Sequence, residues 1–151
     1  MRLLKVLLAL AIATPLAAGA NECSLLDAGN LNHTSIPTNG WRDVPGTNGA
    51  VRYVNVQGNI LLGGPYMAYV RFRAGTDNGL HTHSQALATV VLKGNFYVTY
   101  GTNRIVFHDG GFYQLRANRE HESGCAAGAE CFLFQFQCDR FDLHPVSPPS
   151  S

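Results

Sequence analysis

The stretch GLHTHSQALATVVLKG, residues 79–94, decides how the whole chain is read. Its two ends are glycines, the usual punctuation of turns, and between them lie two short runs, LHTHS (80–84) and LATVVLK (87–93). Both are too short for a stable helix, and the second is rich in β-branched residues, so both read as strands. On a strand, side chains two apart share a face, so His81 and His83 project together, and so does Gln85 if the strand runs on without a bulge. Two imidazoles placed this way can both reach one divalent ion at about 2.0–2.1 Å, and a further ligand must then come from another strand. His121, in GGFYQLRANREHESGC, is the candidate. A single inward histidine is more often a hydrogen-bonded core residue than a ligand, so the pair alone decides little.

Working outward, similar runs recur between glycine turns: AVRYVNV (50–56), YMAYVRFRA (66–74), NFYVTY (95–100), RIVFH (104–108), FYQLR (112–116) and ECFLFQFQC (130–138). With the first two, that makes eight strands at close spacing, the pattern of an all-β sandwich or barrel. No window sustains a helical period, and no longer repeat is visible. Residues such as Phe72, Val90, Phe96, Val98, Phe134 and Phe136 are expected to line the interior, with Tyr97 among the aromatics facing out. Alternation alone leaves the phase open.

The chain begins MRLLKVLLALAIATPLAAGA, in which Arg2 and Lys5 precede an apolar run and a small-residue ending. This reads as a signal peptide, residues 1–20, cut near Ala20, and hence as export to the periplasm or beyond the cell. The run is well short of the roughly 20 residues that cross a bilayer, so no membrane anchor is expected. Residues 21–48 are an extended polar lead-in, 49–145 the barrel domain, and 146–151 a proline- and serine-rich disordered tail. Of the eleven basic residues the leader removes two, leaving nine against ten acidic ones. No basic patch invites nucleic acid and no lysine-rich helix a membrane surface. Asn32-His33-Thr34 is a glycosylation acceptor only in a eukaryotic source.

Four cysteines, Cys23, Cys125, Cys131 and Cys138, are an even number in a chain bound for an oxidising compartment, and their spacing does not suit a zinc knuckle. Cys125 and Cys131 bracket AAGAE, and if that segment is a hairpin loop they face each other at about 4.5 Å between Cα atoms, within reach of a disulfide. Cys23 and Cys138 then remain to tie the lead-in to the last long strand. Sequence alone admits other pairings.

The spacing of these residues resembles the cupin superfamily. Gly75, His81, His83 and Gly94 match its first motif, and Gly110 and His121 its second, over roughly residues 50–140. The resemblance implies an all-β fold, a single double-stranded β-helix or jelly-roll barrel, and a metal site on His81, His83 and His121. The departures are specific. The family's glutamate falls at Leu87, and in the second motif the proline, inner glycine and final asparagine are replaced by Arg116, Asn118 and Cys125. Either three histidines suffice, or Gln85 adds a neutral carbonyl oxygen. The ion implied is divalent: iron, manganese, zinc or nickel.

Three functions follow. The first is a metal-dependent enzyme, dioxygenase-, isomerase- or lyase-like, acting on a small oxygenated molecule. The second is a secreted protein that binds a metal or small ligand without turnover, and the third a metal-free structural protein. A homodimer is a further expectation, since cupins often pair and the lead-in can add a strand to a neighbour's sheet. His33, His108 and His144 match neither motif, and Glu120 and Glu122, flanking His121, should face away from it.

Overall fold

A computed structural model describes Cys23 and residues 35–147. The expected leader, the glycosylation acceptor and His33 lie outside the described residues. Within them the chain forms strands and no helix: β1 (Arg42–Asp43), β2 (Val51–Gln57), β3 (Tyr66–Phe72), β4 (Asp77–Thr82), β5 (Leu87–Lys93), β6 (Phe96–Tyr100), β7 (Asn103–Phe107), β8 (Phe112–Leu115), β9 (His121–Cys125), β10 (Cys131–Gln137) and β11 (His144–Pro145). They make two antiparallel sheets, of six strands in the order β1-β2-β3-β10-β5-β8 and of five in the order β11-β4-β9-β6-β7. This is an all-β jelly roll. Three strands, β1, β9 and β11, are additional to the eight read from the sequence.

The core lies between the inner faces of the sheets, and alternation decides what enters it. In β3, Tyr66, Ala68, Val70 and Phe72 point in, while Met67, Tyr69 and Arg71 are half-buried on the other face. In β10 the inward set is Cys131, Leu133, Gln135 and Gln137. Phe134 and Phe136 therefore do not line the interior, and neither does Val90 in β5. Phe72, Phe96 and Val98 do. Two of the outward phenylalanines pack on other outward rings instead: Phe132 stacks on Tyr69 at 5.4 Å between centroids and meets Trp41 at 6.0 Å, Phe134 meets Tyr69 at 5.3 Å, and Arg71 lies 4.3 Å over the Trp41 ring.

Tyr97 lies outside the core cluster yet is only 7% exposed. Its cross-strand partner is Gly124, where any Cβ would collide with the phenol, and the Arg104 guanidinium covers the ring at 4.1 Å. Gly94, the last glycine of the opening stretch, sits in the β5–β6 turn at φ +95°, and a Cβ there would fall 2.7 Å from the Glu130 carbonyl oxygen. Only glycine combines that backbone with that approach.

The last residues of the lead-in add to this chain's own sheet, where β1 pairs with β2. At the other end β11 pairs with β4, and Val146 N–H donates to Leu80 O at 2.9 Å, so order reaches into what the sequence suggests is tail. Both cysteine pairs, Cys125–Cys131 and Cys23–Cys138, have disulfide geometry, with Cα separations of 5.7 and 5.1 Å. The segment between Cys125 and Cys131 is not a hairpin, however. β9 and β10 belong to different sheets, and the bridge staples one sheet to the other.

Candidate metal centre

His81 and His121 come together through strand register. β4 and β9 are antiparallel neighbours at the centre of the five-stranded sheet, and their pairing sets His81 directly opposite His121. His83 lies just past the end of β4, held from two sides: its carbonyl accepts from Asn118 N–H at 2.7 Å, and its ring Nδ1 bonds the Asp142 carbonyl. The three rings have centroids 4.3, 4.9 and 5.2 Å apart, with one nitrogen of each within 4.8 Å of the others. All three are buried, at 0, 2 and 0% exposure.

The tautomers follow from the acceptors. Each Nδ1 faces a backbone carbonyl, Gly79 O at 2.8 Å for His81, Asp142 O for His83 and Arg119 O at 2.9 Å for His121. A carbonyl can only accept, so each Nδ1 carries the hydrogen and each Nε2 a lone pair. The Nε2 atoms of His81 and His121 are fully buried with no hydrogen-bond partner. Buried polar atoms left in this state are rare, and three rings fixed through Nδ1 with Nε2 free is the arrangement that metal-ligating histidines adopt. The residues fit a divalent ion.

Burial favours the neutral ring in every case. It lowers the pKa of His81, against the Gly79 hydrogen bond and with help from His121, and lowers that of His121 as well. His83 is taken down to about 4, again chiefly by burial. Neutral imidazole is the form that ligates.

The shift has a consequence for the metal-free protein. Between the unfolded His pKa near 6.5 and the folded value, the unfolded chain binds a proton that the folded one refuses, so stability must fall as pH falls. The loss is fully developed near pH 4 and amounts to about 3 kcal/mol for His83 alone. Chelator-treated protein should show a urea midpoint that drops steadily from pH 6.5 to 4.5, above most carboxylate titration, and His83→Gln should flatten that slope. A level profile across this window would contradict the buried, neutral assignment.

Gln85 is not brought to the cluster. The chain bends at Ser84 and Gln85, where Ser84 N–H bonds the Asp142 carboxylate at 2.9 Å, and the bend ends the alternation on which an inward Gln85 depends. Gln85 is exposed, and its part in the interior is its main-chain carbonyl, which accepts from Gln137 Nε2 at 3.3 Å. Leu87, at the family's glutamate position, does point in, at 2% exposure. Among the described residues, the histidine, cysteine and acidic side chains that converge here are the three histidines alone. Glu120 is exposed, and Glu122 lies 3.9 Å from Arg104 on the other side of β9. His108 bonds Asn95, and His144 is an exposed residue that meets Ser84 and the Asp142 carboxylate; neither imidazole joins the cluster.

Two further contributors carry no sequence motif. Asp142 fixes both His83 and Ser84, and Phe141 places its ring 5.2 Å from that of His83. A small room inside the barrel is lined by His83, Tyr113, Gln135, Asn78 and Ser123 among others. Its neutral polar residues offer hydrogen bonds, and burial pushes the Tyr113 phenol well above its usual range, so it remains protonated.

Comparison with known proteins agrees with this architecture. The cupin domain family matches residues 68–134. No curated protein matches the sequence. Among solved structures, KdgF from Halomonas sp. is 16% identical, with a TM-score of 0.54, covering 68% of this chain and 90% of that one. An RmlC-like cupin from Shewanella frigidimarina is 16% identical, with a TM-score of 0.52 and 72% and 95% covered. One from Ralstonia eutropha is also 16% identical, with a TM-score of 0.55 and 68% and 65% covered. At these identities the likeness is one of fold.

Proposed function

Because the chain belongs to the cupin superfamily, we propose that it holds one divalent metal ion on His81, His83 and His121 and uses it to act on a small oxygenated molecule. The observation that carries this reading is the orphaned, buried Nε2 of His81 and of His121, with all three Nδ1 atoms engaged by carbonyls. An all-imidazole set suits iron, manganese, zinc or nickel. With neutral ligands the ion keeps a charge of about +2, which polarises a bound carbonyl, enolate or carboxylate or lowers the pKa of water. The chain's own residues orient: Asp142 and Asn118 set His83, Arg119 sets His121, and the backbone at Gly79 sets His81. The two cysteine pairs support an oxidising compartment, and with the leader-like first 20 residues they support export.

One observation favours a second reading, binding without turnover. The polar side chains lining the room with His83 are Asn78, Ser123, Gln135 and a phenol, none of them a base at neutral pH. Titrating chelator-treated mature protein with each metal should give one ion per chain, absent from a His81→Ala/His121→Ala variant. No stoichiometric uptake of any of the four would remove the basis of both readings. Oxygen consumption or product formation by the loaded protein then separates enzyme from binder.

A further inference from the structure

We propose that the large cavity beside β2, opening between the Val44–Ala50 turn and the segment after β10, receives the uncharged apolar body of a ligand whose oxygen-donor head reaches the histidines past Phe141. The proposal rests on the metal reading above and names the class of molecule that reading leaves open.

The first ground is size. The room that His83 lines has a volume of only about 10 Å³, enough for about one water. Little beyond the small metal-binding head of a ligand can be housed in that room. Next to it lies a cavity of about 550 Å³, within the usual range for small-molecule sites. None of the three histidines lines it, yet Phe72, Asn78 and Phe141 line both spaces and so form the wall between them.

The second ground is which part of that wall can yield. Phe72 is 5% exposed in β3 and packed edge-on against Phe96 at 5.1 Å. Asn78 is tied to Ser123 Oγ at 3.0 Å. Phe141 belongs to the connection between β10 and β11, is half-buried, and is anchored by its main chain, whose N–H donates to Ile60 O at 2.7 Å. Rotation about its side-chain bonds opens the wall without breaking that bond, and its ring already lies against His83.

The third ground is the chemistry of the lining. Val44, Val51, Leu61 and Leu143 supply apolar walls. Among the described lining residues the charged ones are Asp77 and Asp142, with no lysine, arginine or histidine to receive an anion. Both carboxylates are already engaged, Asp77 by Gly79 N–H at 2.7 Å and Asp142 by Ser84 N–H and His144, so neither calls for a cationic ligand. An uncharged apolar body is what remains, with charge confined to the head that meets the metal.

Two chelators with one head and different bodies test this: acetohydroxamic acid and 4-phenylbenzohydroxamic acid, titrated calorimetrically into zinc-loaded protein. The biphenyl compound should bind at least tenfold more tightly. Leu61→Trp, and independently Leu143→Trp, fill the large cavity and should erase that preference while leaving zinc uptake and acetohydroxamate affinity unchanged. Phe141→Ala should strengthen binding of both compounds by removing the wall. Equal affinities in the unaltered protein, or a preference that survives both tryptophan variants, would overturn the proposal while leaving the metal site standing. Failure to take up zinc, measured before any chelator is added, would remove both.

Discussion

Saturating the chelator-treated protein with its preferred metal is expected to raise the thermal midpoint by about 10 °C, and His121→Ala is expected to abolish that increment. An ion that binds only the folded chain stabilises it by about 2.7 kcal/mol at a hundredfold excess over the dissociation constant, which for a domain of this size corresponds to roughly 10 °C. The increment is the right quantity to measure, because the absolute stability of the variant mixes opposing effects. Removing His121 deletes a buried Nε2 that has no partner, which relieves the metal-free protein, but it also leaves the Arg119 carbonyl without its donor and opens a cavity. His108→Ala is the control, since His108 is exposed and bonds only Asn95 among the described contacts. It should retain the full metal-dependent shift. A histidine cluster that is merely structural would show no metal-dependent shift in any of the three proteins.

That the site was legible from sequence at all depends on strand register, a property motifs carry well. Residues two apart share a face whatever lies between them, so His81 and His83 could be paired from spacing alone. The partner strand was harder. HESGC contains little that favours a strand, and β9 is nonetheless central to its sheet because β4 and β6 pair with it on both sides. Its glycine even improves the fit, since Gly124 makes the slot that Tyr97 occupies. Local composition could not report this, because the stabilising contacts belong to neighbours distant in sequence.

The phase of β10 shows a different limit. Its phenylalanines and its Cys, Leu and Gln residues alternate strictly, and hydrophobicity alone would turn the phenylalanines inward. The bridge settles the matter the other way. Cys131 must face the interior to meet Cys125, and period-two alternation then carries Leu133, Gln135 and Gln137 inward with it. The buried glutamines are tolerated because the interior offers partners: Gln137 Oε1 accepts from the Tyr66 hydroxyl at 3.0 Å. Gln85 turns outward for a related reason. Its inward placement requires a strand that runs on unbent, and the chain bends at Ser84, whose N–H donates to the Asp142 carboxylate on a loop with no motif of its own.

Cys138 lies one residue past the end of β10, where the chain bends, and it is there that Cys23 meets it. Removing this second bridge with Cys23→Ser/Cys138→Ser is expected to cost on the order of 4–5 kcal/mol, measured as the loss of unfolding free energy in denaturant. The sequence separation is 115 residues, so the crosslink restrains almost the whole unfolded chain. Cys125–Cys131 spans a separation of only 6, and the same chain-entropy argument gives it about 2 kcal/mol. Against a typical stability of about 5–15 kcal/mol the longer bridge is a large share. A second effect follows from position. Cys138 immediately precedes the connection that carries Phe141 and Asp142, and Asp142 is what orients His83. Freed from Cys23, that connection should hold His83 less firmly, so the double variant should also bind metal more weakly at a temperature where it is still folded. Non-reducing peptide mapping establishes the pairing first. A Cys23–Cys125 or Cys23–Cys131 peptide, or a double variant that unfolds at the same denaturant concentration as the parent, would contradict the assignment.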